Sequence, residues 1–447
     1  TIAAKTVREL DKTRKIIALT RPTAKYVMSD GVILTGETSY GLIFQNDKYL
    51  YFENRVDGAT DTGYQAISEK IVCDYNAGTL ASEQDVYIKG PAGMLQGNGV
   101  YIKENGNYLF FKGYTATLLF QSEKPKEAVG ALDFEKQKSY LKEDKGNVYI
   151  TSENGLIINQ VARTITAQKN VDVYQNDGHL ESDNLVLHYE RDGQGKTSVR
   201  KVSAQGNVIA KTPAQTATGE VMTVYRAPAE MAQVLQTVPM ASVPAQTAQN
   251  LSQVITLESS KNNATVSEKK NTIKAQKLIA VYANEISGET AQNKSAAPNK
   301  SAVSDKSAVS AISSASDKSG TSGSSNLIKA VALGKASAVS GGQTATGDEI
   351  VIYRDKAEIE NILKSLPSDK EFQVSETPGQ VIVLTGKAVI KEGANTVEAD
   401  KIYALYNKAG TEMIKAITLG NTSATNGAQR VYGVNGVYTP KTKIVSG

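Results

Sequence analysis

Three segments of this chain read as a strand that ends on Tyr, crosses a turn and returns as a strand centred on Gly. The outgoing strands are LESDNLVLHY (Leu180 to Tyr189), IKAQKLIAVY (Ile273 to Tyr282) and VEADKIYALY (Val397 to Tyr406). The returning strands are VRKVSAQGNV from Val199, LIKAVALGKA from Leu327 and MIKAITLGNT from Met413. Two of these run on into QTATGEVMTVYR (Gln215 to Arg226) and QTATGDEIVIYR (Gln343 to Arg354), 128 residues apart. A β unit that recurs without a recurring catalytic group specifies a stacked scaffold or conduit.

Composition agrees with many short strands. The 447 residues hold no Trp, 7 Phe, 21 Tyr and 36 Gly, a mixture suited to half-buried strands and glycine turns. Lys and Arg total 50 against 46 Asp and Glu, and the small excess sits in residues 1–25. The rest of the chain is therefore close to neutral, which argues against nucleic acid as a partner. The basic residues 1–23 read as a weakly helical, solvated segment. One cysteine, Cys73, excludes an intrachain disulfide. No apolar run reaches the ~18 residues of a membrane helix.

Turn signals at Ser29-Asp30-Gly31, Asp57-Gly58, Asn76-Ala77-Gly78 and Glu104-Asn105-Gly106 break residues 24–122 into strands. A charged connector over 123–147 leads to the repeats, read as 148–228, 254–356 and 380–447. Between repeats, apolar residues at 231, 234, 235 and 238, and again at 359, 362, 363 and 366, follow helical spacing and stop at Pro239 and Pro367. Both read as short connecting helices. Residues 286–326, rich in Ser, Ala and Lys, lack the apolar residues needed to order themselves and read as a disordered insertion at a hairpin tip.

Chemistry-bearing residues are few. His179, Glu181 and Asp183 alternate, so a strand puts them on one face, as a metal site requires. The sister repeats carry Thr272, Lys274, Gln276 and Thr396, Glu398, Asp400 there, so the trio reads as a solvated face. Gly195-Lys196-Thr197 resembles the end of a phosphate loop, but Glu190 stands where the first glycine belongs, and Lys408-Ala409-Gly410-Thr411 fills the same turn. With two histidines in all there is no hydrolase triad. The expectation is no catalytic residue, no metal, no cofactor and no enzymatic activity.

The repeats do offer an apolar lining. Aligned positions along the Tyr-ended strands are Leu180, Ile273 and Val397, then Leu185, Leu278 and Ile402, then Leu187, Ala280 and Ala404. Ser182, Ala275 and Ala399 follow the first set in phase, and the phase changes between them and Leu185, Leu278 and Ile402, which predicts a β-bulge. In the N-terminal region Ala66, Ser68, Ile71, Cys73 and Tyr75 lie on the same pattern, adding Ile71 to the candidate lining. Periodicity alone fits a filled sandwich core better than a groove left open for acyl chains.

A family resemblance shifts that balance. Residues 24–113, above all Gly90-Pro91-Ala92-Gly93-Met94-Leu95-Gln96-Gly97 and Leu109-Phe110-Phe111-Lys112-Gly113, resemble the periplasmic domain of LptC. The repeats resemble LptA and OstA-type domains in Ala204 to Val208, Gln215 to Glu220, Gln343 to Asp348 and Ala399 to Ile402. The resemblance implies an all-β fold of stacked, V-shaped antiparallel β-jellyrolls (β-tacos) forming an elongated open groove. It implies a bridge of the Gram-negative periplasm that carries lipopolysaccharide from inner to outer membrane with the lipid A acyl chains in the groove. Implied partners are an inner-membrane Lpt ABC transporter at the N-terminal end and an LptD-like outer-membrane translocon, or further bridge units, at the C-terminal end. Anchoring is expected through a segment outside this sequence. The alternative from another class is a structural β-solenoid, a scaffold or adhesin with a filled core and no ligand.

Overall fold

A computed structural model describes residues 1–91, 93–119, 147–191, 197–269, 271–284, 325–374, 376–410, 412–439 and 444–446. The charged connector, the Gly195-Lys196-Thr197 turn (but for Thr197) and nearly all of the Ser/Ala/Lys-rich insertion lie outside the described residues. The fold is all-β with antiparallel pairing, built of V-shaped jellyrolls and two connecting helices. Two compact units divide the described chain, residues 1–206 and residues 207–447.

Alternate long strands bend at a bulge, and the bend makes the V. Register shifts fall between Glu53 and Val56, Gln168 and Val171, Leu333 and Ala336, Thr385 and Ala388, and Leu419 and Thr422. At each shift two successive residues take positive φ: Asn54 and Arg55, Lys169 and Asn170, Gly334 and Lys335, Gly386 and Lys387, Gly420 and Asn421. Two left-handed residues in a row turn the strand sharply while leaving its pairing intact on either side. At three of these crests the first residue is glycine, and an added Cβ would crowd a side chain on the facing strand. A Cβ at Gly334 would lie 2.3 Å from Gln276 Oε1, and one at Gly420 would lie 2.5 Å from Asp400 Oδ2. The phase change predicted on the Tyr-ended strands falls at this crest, but the bulged residues stand on the neighbouring strand: Lys169 and Asn170 opposite Ser182 to Asn184, and Gly420 and Asn421 opposite Glu398 to Lys401.

Two limbs leave each crest. One carries the tyrosine ends (Leu278 to Tyr282, Ile402 to Tyr406) and is called here the tyrosine limb. The other is closed by tight hairpins, such as that between Ala264–Glu268 and Asn271–Ala275, and is called the hairpin limb.

Unit 1 begins earlier than the sequence pattern indicates. Residues 1–23 are not helical. Thr6–Asp11 and Ile16–Thr20 form a hairpin, and Ile16–Thr20 pairs with Tyr40–Phe44. The β-branched pair Ile16 and Ile17 favours strand, Leu19 is buried, and Asp11 closes the turn by accepting the Arg14 N–H at 2.9 Å. The charges that imitated a helix face stand on an exposed strand. Within this unit the first repeat continues the N-terminal jellyroll. Tyr108–Phe111 pairs with Leu156–Asn159, and Thr115–Leu119 pairs with Val148–Ser152.

In unit 2 the connecting helices form where the apolar spacing places them, Pro228–Thr237 and Lys356–Ser365. Pro228 opens the first, its fixed φ suiting the first turn. Asp355 caps the second, accepting the Glu358 N–H at 3.0 Å. Met231, Leu235 and Val238 pack on Val254, Ile279, Val281, Val331 and Val351. Ile359, Ile362, Leu363 and Leu366 pack on Val381, Val383, Tyr403, Leu405 and Ile417. Both helices therefore cover one face of the tyrosine limb, and the residues between those named point to the other face.

Candidate binding groove

Strand pairing carries the inner face across unit 2 as continuous rows, because directly opposed residues share a side of the sheet. Next to the crest, one row of the tyrosine limb runs Met222, Leu257, Leu278, Ala332, Ile350, Leu384, Ile402, Thr418. The next runs Val224, Ile255, Ala280, Ala330, Ile352, Ile382, Ala404, Ala416. On the hairpin limb the row is Ala217, Val266, Ile273, Ala338, Ala345, Ile390, Val397, Ala424, Val431. Of these 25 positions only Thr418 is polar, and its hydroxyl donates to the Gly436 carbonyl at 3.1 Å. The opposite face of the hairpin limb reads Ser267, Thr272, Val339, Thr344, Lys391, Thr396, Thr425, Arg430, an ordinary solvated surface.

The limbs converge. Val266 and Ile273 from the hairpin limb and Leu278, Ala280, Ala330 and Ile350 from the tyrosine limb line a part-open apolar cavity of about 20 Å³ in the middle repeat, room for roughly one water-sized sphere. At the terminal strand Gln429–Thr439 the inner row opens, and Val431 is 57% exposed.

Unit 1 repeats the scheme with its own residues. One row runs Ile17, Ile43, Leu50, Cys73, Leu80, Ile102, Leu109, Ile158, Ile165, Leu187. Beside it stand Val100, Phe111, Leu156, Ala167 and Leu185, and across the crest Ile88, Leu95, Thr117, Ile150, Val173 and Leu180. Ile71 and Cys73 pack with Leu19, Leu50 and Phe52. Burial pushes the Cys73 thiol up to about 11.

The ten candidate lining residues thus fall on inner faces. Ile71, Leu180, Leu185 and Leu187 stand in unit 1, and Ile273, Leu278, Ala280, Val397, Ile402 and Ala404 in unit 2. Sequence reading missed their cross-strand partners, notably Leu257, Ile350, Ile352 and Leu384. The signal was present as alternation in QTATGDEIVIY and VIVLTGKAVI, strands that lack the tyrosine end that flags the others.

His179 is fully engaged. Its Nε2 lies 2.8 Å from Asp172 Oδ1, its Nδ1 3.4 Å from Glu181 Oε1, and its ring stacks on Tyr174 at 4.2 Å. Among the described residues no cluster of three His, Cys, Asp or Glu could hold a metal ion. No helix among them is long and apolar enough to cross a membrane.

No family model matches the chain, and no curated protein matches it. Solved structures similar to it include LptH from Pseudomonas aeruginosa, described as the LptA homologous periplasmic component of the conserved lipopolysaccharide transport device. The match is 13% identical, covers 31% of this chain and 83% of that one, and has a TM-score of 0.22.

Proposed function

We propose that this chain is a non-enzymatic lipid carrier that holds acyl chains against the inner faces of its jellyrolls. The observation that carries the reading is the unbroken apolar inner face, 24 of 25 positions over three rows of unit 2. Each methylene transferred from water to such a surface contributes roughly 0.8 kcal/mol, without demanding a fixed orientation. A row of equivalent apolar sites lets a chain slide from strand to strand, since leaving one resembles entering the next. The motif resemblance supports lipopolysaccharide as the amphiphile and the periplasm as the setting, with an LptC-like part followed by LptA-like repeats. On this reading an inner-membrane extractor loads the N-terminal end and an outer-membrane translocon unloads the C-terminal end.

One observation favours a second reading, a scaffold with a filled core: the apolar cavity between Val266, Ile273, Leu278 and Ile350 of the middle repeat has a volume of about 20 Å³. Photocrosslinking in cells separates the two. A photoreactive residue at Leu185, Leu278 or Ile402 forms lipopolysaccharide adducts if chains pass along the inner face, while Glu181 and Lys274, on outer faces, stay unlabelled. Folded protein with no adduct at any inner position leaves the scaffold reading.

A further inference from the structure

The apolar rows of the middle repeat end in a polar rim, and the rim is one ladder step wide. On the tyrosine limb Tyr282, Gln253 and Gln380 stand two residues beyond Ala280, Ile255 and Ile382, and Arg354 stands two beyond Ile352. On the hairpin limb Glu268 and Gln215 stand two beyond Val266 and Ala217. All six project inward at the mouth of the V, roughly 7 Å from the last apolar row.

Five of the six are buried, all but Arg354. Arg354 donates its Nε–H to Gln380 Oε1 at 3.0 Å, and Gln215 donates to Glu268 Oε2 at 2.8 Å. Burial lowers the Arg354 guanidinium from its ordinary value, and Tyr282 on its own limb and Glu268 on the hairpin limb pull it back up. The Gln253 Nε2 group has no hydrogen-bond partner although the residue is 4% exposed. An orphaned buried donor is costly, and a ligand acceptor at the mouth would satisfy it.

We propose that this rim is a recognition site for the anionic neck of an amphiphile, the phosphate and carbonyl oxygens that join an acyl chain to its headgroup. Arg354 supplies the planar fork that grips a phosphate in two places, and Gln253 and Tyr282 supply neutral donors beside it. Glu268 competes with the anion for Arg354. The rim therefore selects charge at the position where the apolar rows select chain, and the selection rests on the lipid-carrier reading above.

The test is calorimetric titration of the full chain with dodecyl phosphate and dodecyl maltoside, which share a chain and differ in charge, each kept below its micelle concentration. Wild type is expected to bind the phosphate at least tenfold more tightly. R354Q abolishes that preference, E268Q enlarges it, and R354K preserves part of it. Circular dichroism reports folding, and R354K with E268Q keeps the test decisive if R354Q unfolds. A preference that survives R354Q, or a wild type that binds both equally, overturns the rim site and leaves the carrier reading standing. A chain that binds neither amphiphile overturns both.

Discussion

Lys329 and Glu358 form a 2.7 Å ion pair sealed between the second connecting helix and the sheet, the lysine side chain 3% exposed. Lys329 also donates to the Ser242 carbonyl and lies 4.6 Å from the Tyr353 ring, so one ammonium ties the second helix, the loop after the first helix and two strands. Burial raises the Glu358 carboxyl above its ordinary value and lowers the Lys329 ammonium. Both shifts say that desolvation of the charges outweighs their attraction. Removing one partner strands the other, and Glu358→Leu alone should cost about 3–5 kcal/mol in urea unfolding. The double substitution Lys329→Met with Glu358→Leu should be neutral or stabilising.

The pH dependence follows with a definite sign. A carboxyl whose folded pKa is raised contributes stability that is complete below the unfolded value and is lost as pH rises through the folded value. The lowered lysine contributes stability above its unfolded value that is lost as pH falls through its folded value. The carboxyl window starts at the ordinary glutamate range, about 4.3, and extends upward. Over that window wild type should lose stability relative to the double variant as pH increases. Parallel unfolding curves for the two proteins would show that the pair titrates as it does in the unfolded chain.

Gly420 sits at a crest with φ of 72°, and Asp400 occupies the space a Cβ would need. Gly420→Ala should cost the left-handed penalty of about 1–2 kcal/mol plus a clash. Asp400→Ala in the same chain should recover the clash and leave the penalty. Gly393, in a hairpin turn with φ of 57° and nothing within 4 Å, should show the penalty alone on Gly393→Ala. Equal losses at the two glycines in thermal unfolding would remove the crest from its role in shaping the V.

Why some of this was legible and some was not comes down to which residues repeat. The tyrosine ends and the glycine crests recur because mouth and crest each impose one demand on every repeat, and the bulge announces itself as a change of phase. The connecting helices were legible because Met231 to Val238 and Ile359 to Leu366 must match a flat aliphatic sheet. The hairpin over residues 6–20 was not. Its outer strand exposes Val7 and Leu10 and sets Arg8 and Glu9 between them, a pattern that carries no core to identify it. The pairing of Asp400 with Gly420 was also hidden, since it joins residues on different strands whose types are common in any turn.

Ile402 and Leu384 are directly opposed on the inner face, and both are fully buried. Leu384→Ala should cost about 2–5 kcal/mol if this row is packed against its opposite limb as a core. Val431, on the same inner face but 57% exposed, should tolerate Val431→Ala within about 0.5 kcal/mol. Chemical denaturation of the two variants measures where along unit 2 the V is filled. Similar small losses at both positions would mean that the limbs near Leu384 are not held together.

Cys73 offers a reporter inside unit 1, in the inner row between Leu50 and Leu80. With its thiol pushed up to about 11, only about one molecule in a thousand is thiolate at pH 8, against roughly a quarter for a free cysteine. Alkylation by iodoacetamide at pH 8 should therefore run at least a hundredfold slower than on the unfolded chain and quicken as pH rises. An amphiphile seated on the inner rows adds a second barrier, because its chain covers the sulfur that the strands leave part-exposed. Dodecyl maltoside below its micelle concentration should slow the reaction further while leaving the unfolded chain's rate unchanged. A rate that ignores the detergent would separate the inner face of unit 1 from lipid binding, whatever unit 2 does, since Cys73 cannot stay accessible beneath a bound chain.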